Sequence, residues 1–244
     1  MHGRCEPGVG ARSASRTAEQ ETLVARILVL GRQGAGKGTQ STRVAHRLGV
    51  PHVSTGDCFR AAVASGSALG RSVKSYLDRG DLVPDDVVCE IVSARLGEPD
   101  ASAGFVLDGF PRTRPQAEAL IDLLLPASLD AAVELDVPVG DVMERMLRRR
   151  VCRSCGAAAV APKPGAAAID CACGGEAVAR DDDTAEAIRH RLALHDRETG
   201  PVLRLWADRG LLVRVDGRGP ADDVEARLVA AIGARLRAGA LVTT

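Results

Sequence analysis

Three groups of residues in this chain have the types and spacing of chemistry. The run "GRQGAGKGT", Gly31 to Thr39, carries a GxxxxGK core. Its glycines let backbone N–H groups turn inward to an anion, and Lys37 can reach the outer phosphates of a nucleotide. Gly38 stands where Ser or Thr is usual, and Thr39 follows one place later. The second group is "GFVLDGFPRTRPQ", where Asp108 closes an apolar run as a carboxylate serving a metal-nucleotide would, and a proline-bounded turn presents Arg112. The third joins cations to thiols. Arg145, Arg148, Arg149 and Arg150 precede, and Arg180, Arg189 and Arg191 follow, a segment holding four of the seven cysteines, spaced CxxC and then CxC. Guanidinium groups suit phosphate oxygens, and clustered thiolates suit a metal. Simpler readings stand beside these: a strand-end Asp as a turn former, Thr55 or Asp57 of "STGDCFR" as a helix cap, and the arginines as a solvated helix face.

These residues need particular elements behind them. "ARILVL", residues 25 to 30, is a short branched apolar run that breaks at Gly31, and helical spacing begins near Lys37, giving strand, glycine loop, helix. Helix signals follow at about 57–66, 68–79, 84–97, from 114, over "GDVMERMLRRR", from 184 and from 221; "GFVLDGF", "AAVELDVP" and "LLVRVDG" read as strands. Strands alternating with helices predict an α/β fold with a parallel sheet covered on both faces. Two stretches interrupt the rhythm: 54–83 has only helices between strands, and 150–183 has turn residues and cysteines with little apolar period. Both read as insertions at the carboxyl ends of strands, where ligands bind in open α/β sheets.

Composition narrows the function. The 244 residues balance 32 Lys plus Arg against 32 Asp plus Glu, so no global field recruits nucleic acid or an anionic membrane. One Trp, one Tyr and three Phe cannot furnish base-stacking platforms. No apolar run approaches the roughly 18 residues of a membrane span. Residues 1–25 are polar and read as a disordered extension or a misplaced start, with the domain proper over 26–244 and a cytoplasmic setting expected. Clustered cysteines at metal spacing, and an odd total, fit a reducing compartment better than a disulfide framework.

"GAGKGTQ", "STGDxxR", "DGFPRTxxQ" and "RDDDxxxxxxxR", in this order, resemble the adenylate kinase family over about residues 25–220. The resemblance implies a five-stranded parallel core with a monophosphate-binding insert, 54–83, and a lid, 148–183. It implies the reaction Mg·ATP + AMP ⇌ 2 ADP, with ATP, AMP and ADP as partners and the chain a monomer. Carried over residue by residue, Gly34, Ala35, Gly36, Lys37, Gly38 and Thr39 hold the ATP phosphates, and Thr39 and Asp108 hold Mg²⁺. Arg149 meets ATP from the lid hinge, Ala158 and Ala159 lie on the lid loop over it, and Gly219 offers backbone to its base. On the AMP side stand Thr55, Arg60, the wall Asp81, Leu82 and Val83, and the turn Gly109, Phe110, Pro111 and Arg112. Thr55, Gly109 and Gln116 select the base, while Arg180 and Arg191 reach across the transferring phosphate. Arg148 and Arg150 remain surface charges.

Long lids in this family often carry structural zinc, which makes Cys152 and Cys155 a first knuckle. The second half, "DCACGG", leaves two sets open: Cys171 with Cys173, or Asp170 in place of Cys171. Thiolate suits zinc better than carboxylate, which favours Cys171. Cys5, Cys58 and Cys89 have no such grouping. Where the family usually has an aromatic residue, this lid reads "AAAVAPKPG", implying weaker ATP affinity or a less ordered lid and greater dependence on zinc. The competing expectations are another monophosphate kinase of this fold and a noncatalytic zinc and nucleotide-binding regulatory module.

Overall fold

The computed structural model describes residues 24–180 and 183–240; most of the expected N-terminal extension, and Asp181 and Asp182 of the "RDDD" run, lie outside the described residues. Five parallel strands form the central sheet: β1 Ala25–Leu30, β2 His52–Ser54, β3 Gly104–Asp108, β4 Ala131–Asp136 and, near the C-terminus, Leu212–Asp216, in the spatial order β2, β3, β1, β4 and that last strand. Each strand's side chains alternate between faces. Along β1, Ile27 and Val29 enter one core with Val133, Leu135 and Ile188, while Leu28 and Leu30 enter the other with Phe105, Leu107 and Trp206. A sheet buried on both sides explains why these strands read as unbroken apolar runs.

Helices α1 Lys37–Leu48, α2 Thr55–Ala64, α3 Ala68–Arg79, α4 Asp85–Leu96, α5 Arg114–Leu124 and α6 Val139–Arg148 follow the expected positions closely. The start of α2 differs. The cap is Ser54, whose hydroxyl accepts from the Asp57 N–H at 3.3 Å, so Thr55 is released and instead donates to the Gly109 carbonyl at 3.1 Å. Helices α2 and α3 form the insert between β2 and β3, and Gly70 lets them touch because a Cβ there would strike the Ala62 carbonyl.

The cysteine segment, expected as turns, is a small antiparallel sheet. Its strands are β5 Arg149–Cys152, β6 Ala158–Val160, β7 Ile169–Asp170 and β8 Glu176–Val178, ordered β6, β5, β8, β7. Strands of only two to four residues, RRVC, AAV, ID and EAV, are too short to show an apolar period, which hides them from sequence reading. Its interior is Cys152, Ala161, Ala177 and Arg150. Arg150 therefore departs from the expected surface charge: it is 3 % exposed and donates to the carbonyls of Leu147 (3.3 Å), Arg149 (2.7 Å) and Ala166 (2.5 Å). Arg148 is half-buried and donates to the Ala161 carbonyl at 2.8 Å. Beyond the small sheet, α7 Ala185–Leu194 runs into a π turn, His195–Thr199, then α8 Gly200–Asp208, β9 Leu212–Asp216 and α9 Ala221–Ala240.

Candidate functional site

A cavity of about 950 Å³ opens where the parallel strands end, walled by the glycine loop, the α2–α3 insert, the small sheet and α7. Four of the five strand ends deliver something to it: Gly31 after β1, Thr55 after β2, Asp108 on β3, Gly217 after β9. In the glycine loop, Gly31 has φ 133° and lies so close to β4 that a Cβ would sit 2.6 Å from the Leu135 carbonyl oxygen. Gly36, with φ 100°, caps α1 without a side chain, leaving the N-terminal N–H groups to an anion.

Lys37 is drawn back onto this loop, donating to the carbonyls of Gly31 (2.8 Å) and Arg32 (3.0 Å). Burial lowers its pKa to about 8; Asp108 opposes the shift, and Arg112 and Arg149 add to it. Burial likewise pushes Arg112 below its usual value, with Asp108 opposing and Arg191 and Arg60 reinforcing. Cations this crowded are stabilised by incoming negative charge. Resting carboxylates supply part of it: Asp57 pairs with Arg60 at 2.5 Å, and Asp183, 3 % exposed, takes Arg149 through both oxygens (2.6 and 2.5 Å) and Arg191 at 3.4 Å. Arg191 also donates to the Leu77 carbonyl at 2.7 Å, joining α7 to the insert.

At the insert end, Arg112 Nε donates to the Gly109 carbonyl at 2.7 Å, and Gln116, 2 % exposed, accepts from the Arg112 N–H at 2.8 Å. At the other end the wall is backbone and small side chains, Ala157 to Ala159 on the small sheet and Gly217 and Gly219 beyond β9. Arg145 crosses this end, donating to the carbonyls of Ala35 (3.2 Å) and Gly217 (3.0 Å).

The chain matches the family model for adenylate kinase over residues 29–211. It is 45 % identical over 211 residues to an adenylate kinase of Methanocella arvoryzae, covering 85 % of this chain and 98 % of that relative. Adenylate kinases of Symbiobacterium thermophilum (46 % over 212 residues, 85 % and 98 %) and Thermodesulfovibrio yellowstonii (46 % over 203 residues, 82 % and 94 %) are similar to the same extent. This chain belongs to the adenylate kinase family.

Nearly every residue carried over from the adenylate kinase resemblance lines the cavity, from the glycine loop through Arg60, Asp81 to Val83, Arg112, Gln116, Arg149, Arg180 and Arg191 to Gly219. Phe110 does not: it is 1 % exposed and packs with Phe105 and Trp206 in the core, so its place in the "DGFPR" turn is structural. Sequence reading gave no specific role to Arg145 and His52, which line the cavity, or to Asp85, which bonds to Gln116 on its wall. Arg145 lies one helical turn before Arg149, the signal that could have marked it. His52 stands 3.7 Å from Asp108, and Asp85, at the start of α4, meets Gln116 and Thr113 at the start of α5.

The four cysteines form a second, separate constellation. The sulfurs of Cys152, Cys155, Cys171 and Cys173 all lie within 4.8 Å of one another, with Cys152 to Cys173 at 3.5 Å and Cys155 to Cys171 at 3.7 Å. A tetrahedral zinc with thiolates at about 2.3 Å requires sulfurs about 3.8 Å apart, so the set fits. Asp170 is outside it, paired with Glu176 in the strand register of β7 and β8. The N–H groups of Cys155 and Ser154 help hold the Cys152 thiol down, to about 6. Gly156 and Gly174, at φ 72° and 82°, close the two turns.

Proposed function

We propose that the chain transfers the terminal phosphate of Mg·ATP to AMP, giving two ADP. The observation that carries this is the convergence of Lys37, Arg60, Arg112, Arg149, Arg180 and Arg191 on one cavity with unlike ends. One end offers a base only backbone and Arg145; the other offers the Gln116 amide. That asymmetry suits a triphosphate donor at the first end and a selected monophosphate acceptor at the second.

An AMP phosphate oxygen attacks the γ-phosphorus, and the bond between that phosphorus and its bridging oxygen breaks. The attacking oxygen is already ionised, so no general base is required. Alignment and compensation of charge are the catalytic work. The glycine loop and the α1 N-terminus hold the donor phosphates, and Lys37, leaving the Gly31 and Arg32 carbonyls, follows the moving group. Arg60 and Arg112 grip the acceptor phosphate, each able to donate two parallel hydrogen bonds. Arg149, Arg180 and Arg191 close on the transferring group from the small sheet and α7. Thr39 and Asp108, hydroxyl and carboxylate on the same wall, are oxygen donors of the kind Mg²⁺ takes. When bound, the ion neutralises charge on the donor phosphates.

The four-cysteine cluster would hold structural zinc in a lid whose interior is otherwise small side chains and one arginine. Free thiols at these positions suit a reducing setting such as the cytoplasm. A coupled assay of ADP formation, with AMP, CMP, UMP and GMP offered in turn, tests the reaction and its acceptor. Mg²⁺-dependent turnover on AMP is expected; purified, folded protein without it would sink the reading.

A further inference from the structure

Asp85 opens α4 and does not itself line the cavity, yet its carboxylate is committed to the acceptor-base wall. One oxygen accepts from Gln116 Nε2 at 2.6 Å, the other from Thr113 Oγ1 at 2.9 Å. The Gln116 amide is thereby tied at both atoms, Oε1 to the Arg112 N–H at 2.8 Å and Nε2 to Asp85. Its backbone is fixed as well, because the Gln116 N–H donates to Thr113 Oγ1, the cap of α5, at 3.3 Å.

A primary amide presents an acceptor and a donor side by side, and half a turn about its last bond exchanges them. The exchange matters for purines. The 6-aminopurine edge offers a donor at N6 beside an acceptor at N1, whereas the 6-oxopurine edge offers an acceptor at O6 beside a donor at N1. An untethered glutamine can therefore read either edge. In this chain the turn would set Oε1 against a carboxylate and the amino group against a backbone N–H, two repulsive contacts in a nearly solvent-free position. What remains for a base is one N–H on Nε2 and one lone pair on Oε1, in a single order.

We propose that Asp85 is a specificity-determining positioning residue, locking the Gln116 amide in the orientation that accepts a 6-aminopurine monophosphate and rejects a 6-oxopurine one. This rests on the acceptor end being the AMP site. Thr113 belongs to the same lock, since it orients the carboxylate while capping the helix that carries Gln116.

The test compares kcat/KM for AMP and for inosine monophosphate, with Mg·ATP as donor, in the wild type, Asp85→Ala and Asp85→Asn. Asparagine nearly matches the shape of Asp85 but can present either an oxygen or an amino group to Gln116, so it removes the lock with little change of packing. The AMP to inosine monophosphate ratio is expected to fall about tenfold or more in both variants. If Asp85→Ala does not fold, Asp85→Asn carries the test. A purely structural role would weaken both acceptors equally, and an unchanged ratio overturns the lock. Wild-type protein inactive on AMP would instead remove the site assignment beneath it.

Discussion

Lys37 shows how far a single residue's environment can be read as chemistry. Its ammonium is buried beside other cations and rests on two carbonyls, and its pKa falls to about 8. Free protein therefore begins to lose this charge near pH 8, and kcat/KM for Mg·ATP should decline above that pH. Bound phosphates raise the lysine's proton affinity, so kcat should hold to higher pH; coincident alkaline limbs would contradict this. The same shift makes the fold more stable as pH rises from about 8 toward 10.5, because the native chain holds fewer protons there than the unfolded one. Lys37→Met should lower kcat by about 10²-fold or more without lowering the melting temperature, since it removes a buried charge. The glycine loop and Arg112 were legible in sequence because their spacing is local. Asp85 was not, since its partner Gln116 lies 31 residues away and only folding joins them.

At the scale of elements, the small sheet bears the greatest load on the fewest groups. Cys152 and Arg150 are buried within it, whereas the apolar side chains of its strands, Val151, Val160, Ile169 and Val178, are only partly buried or exposed. Elemental analysis should find about one zinc per chain. Cys152→Ser should release the zinc and lower the melting temperature, and unchanged values of both would show that the clip is not structural. Arg150→Ala should raise the KM for ATP severalfold while the KM for AMP changes little, because the carbonyls it holds at Leu147, Arg149 and Ala166 belong to the hinge and the lid loop. Sequence marked the cysteines but not the strands between them. Their spacing is a property of ligands, whereas the strands are held by backbone pairing and a buried guanidinium, which leave no hydrophobic signature.

Across the whole molecule, the hydrogen bonds that tie the insert to α7 include Arg191 to the Leu77 carbonyl at 2.7 Å and His190 to Asp81 at 2.8 Å. Arg79 and His190 hold the Asp81 carboxyl below its usual range. His190→Gln should raise the KM for AMP about two- to threefold, the scale of an exposed ion pair, and His190→Lys should keep it near the wild-type value. The sheet and its helices could be read from apolar runs, since a doubly covered parallel sheet writes itself into the sequence. How the insert and α7 meet could not, because those contacts join side chains to a carbonyl and a carboxylate on distant elements. Asp183, held between Arg149 and Arg191, gives that meeting a selective property. It is a built-in competitor for the two guanidinium groups, present at fixed high local concentration. A small monovalent anion cannot displace it, whereas a chelating polyphosphate that engages several cations at once can. The site thus has an entry threshold set by valence, and common salts should inhibit it only weakly.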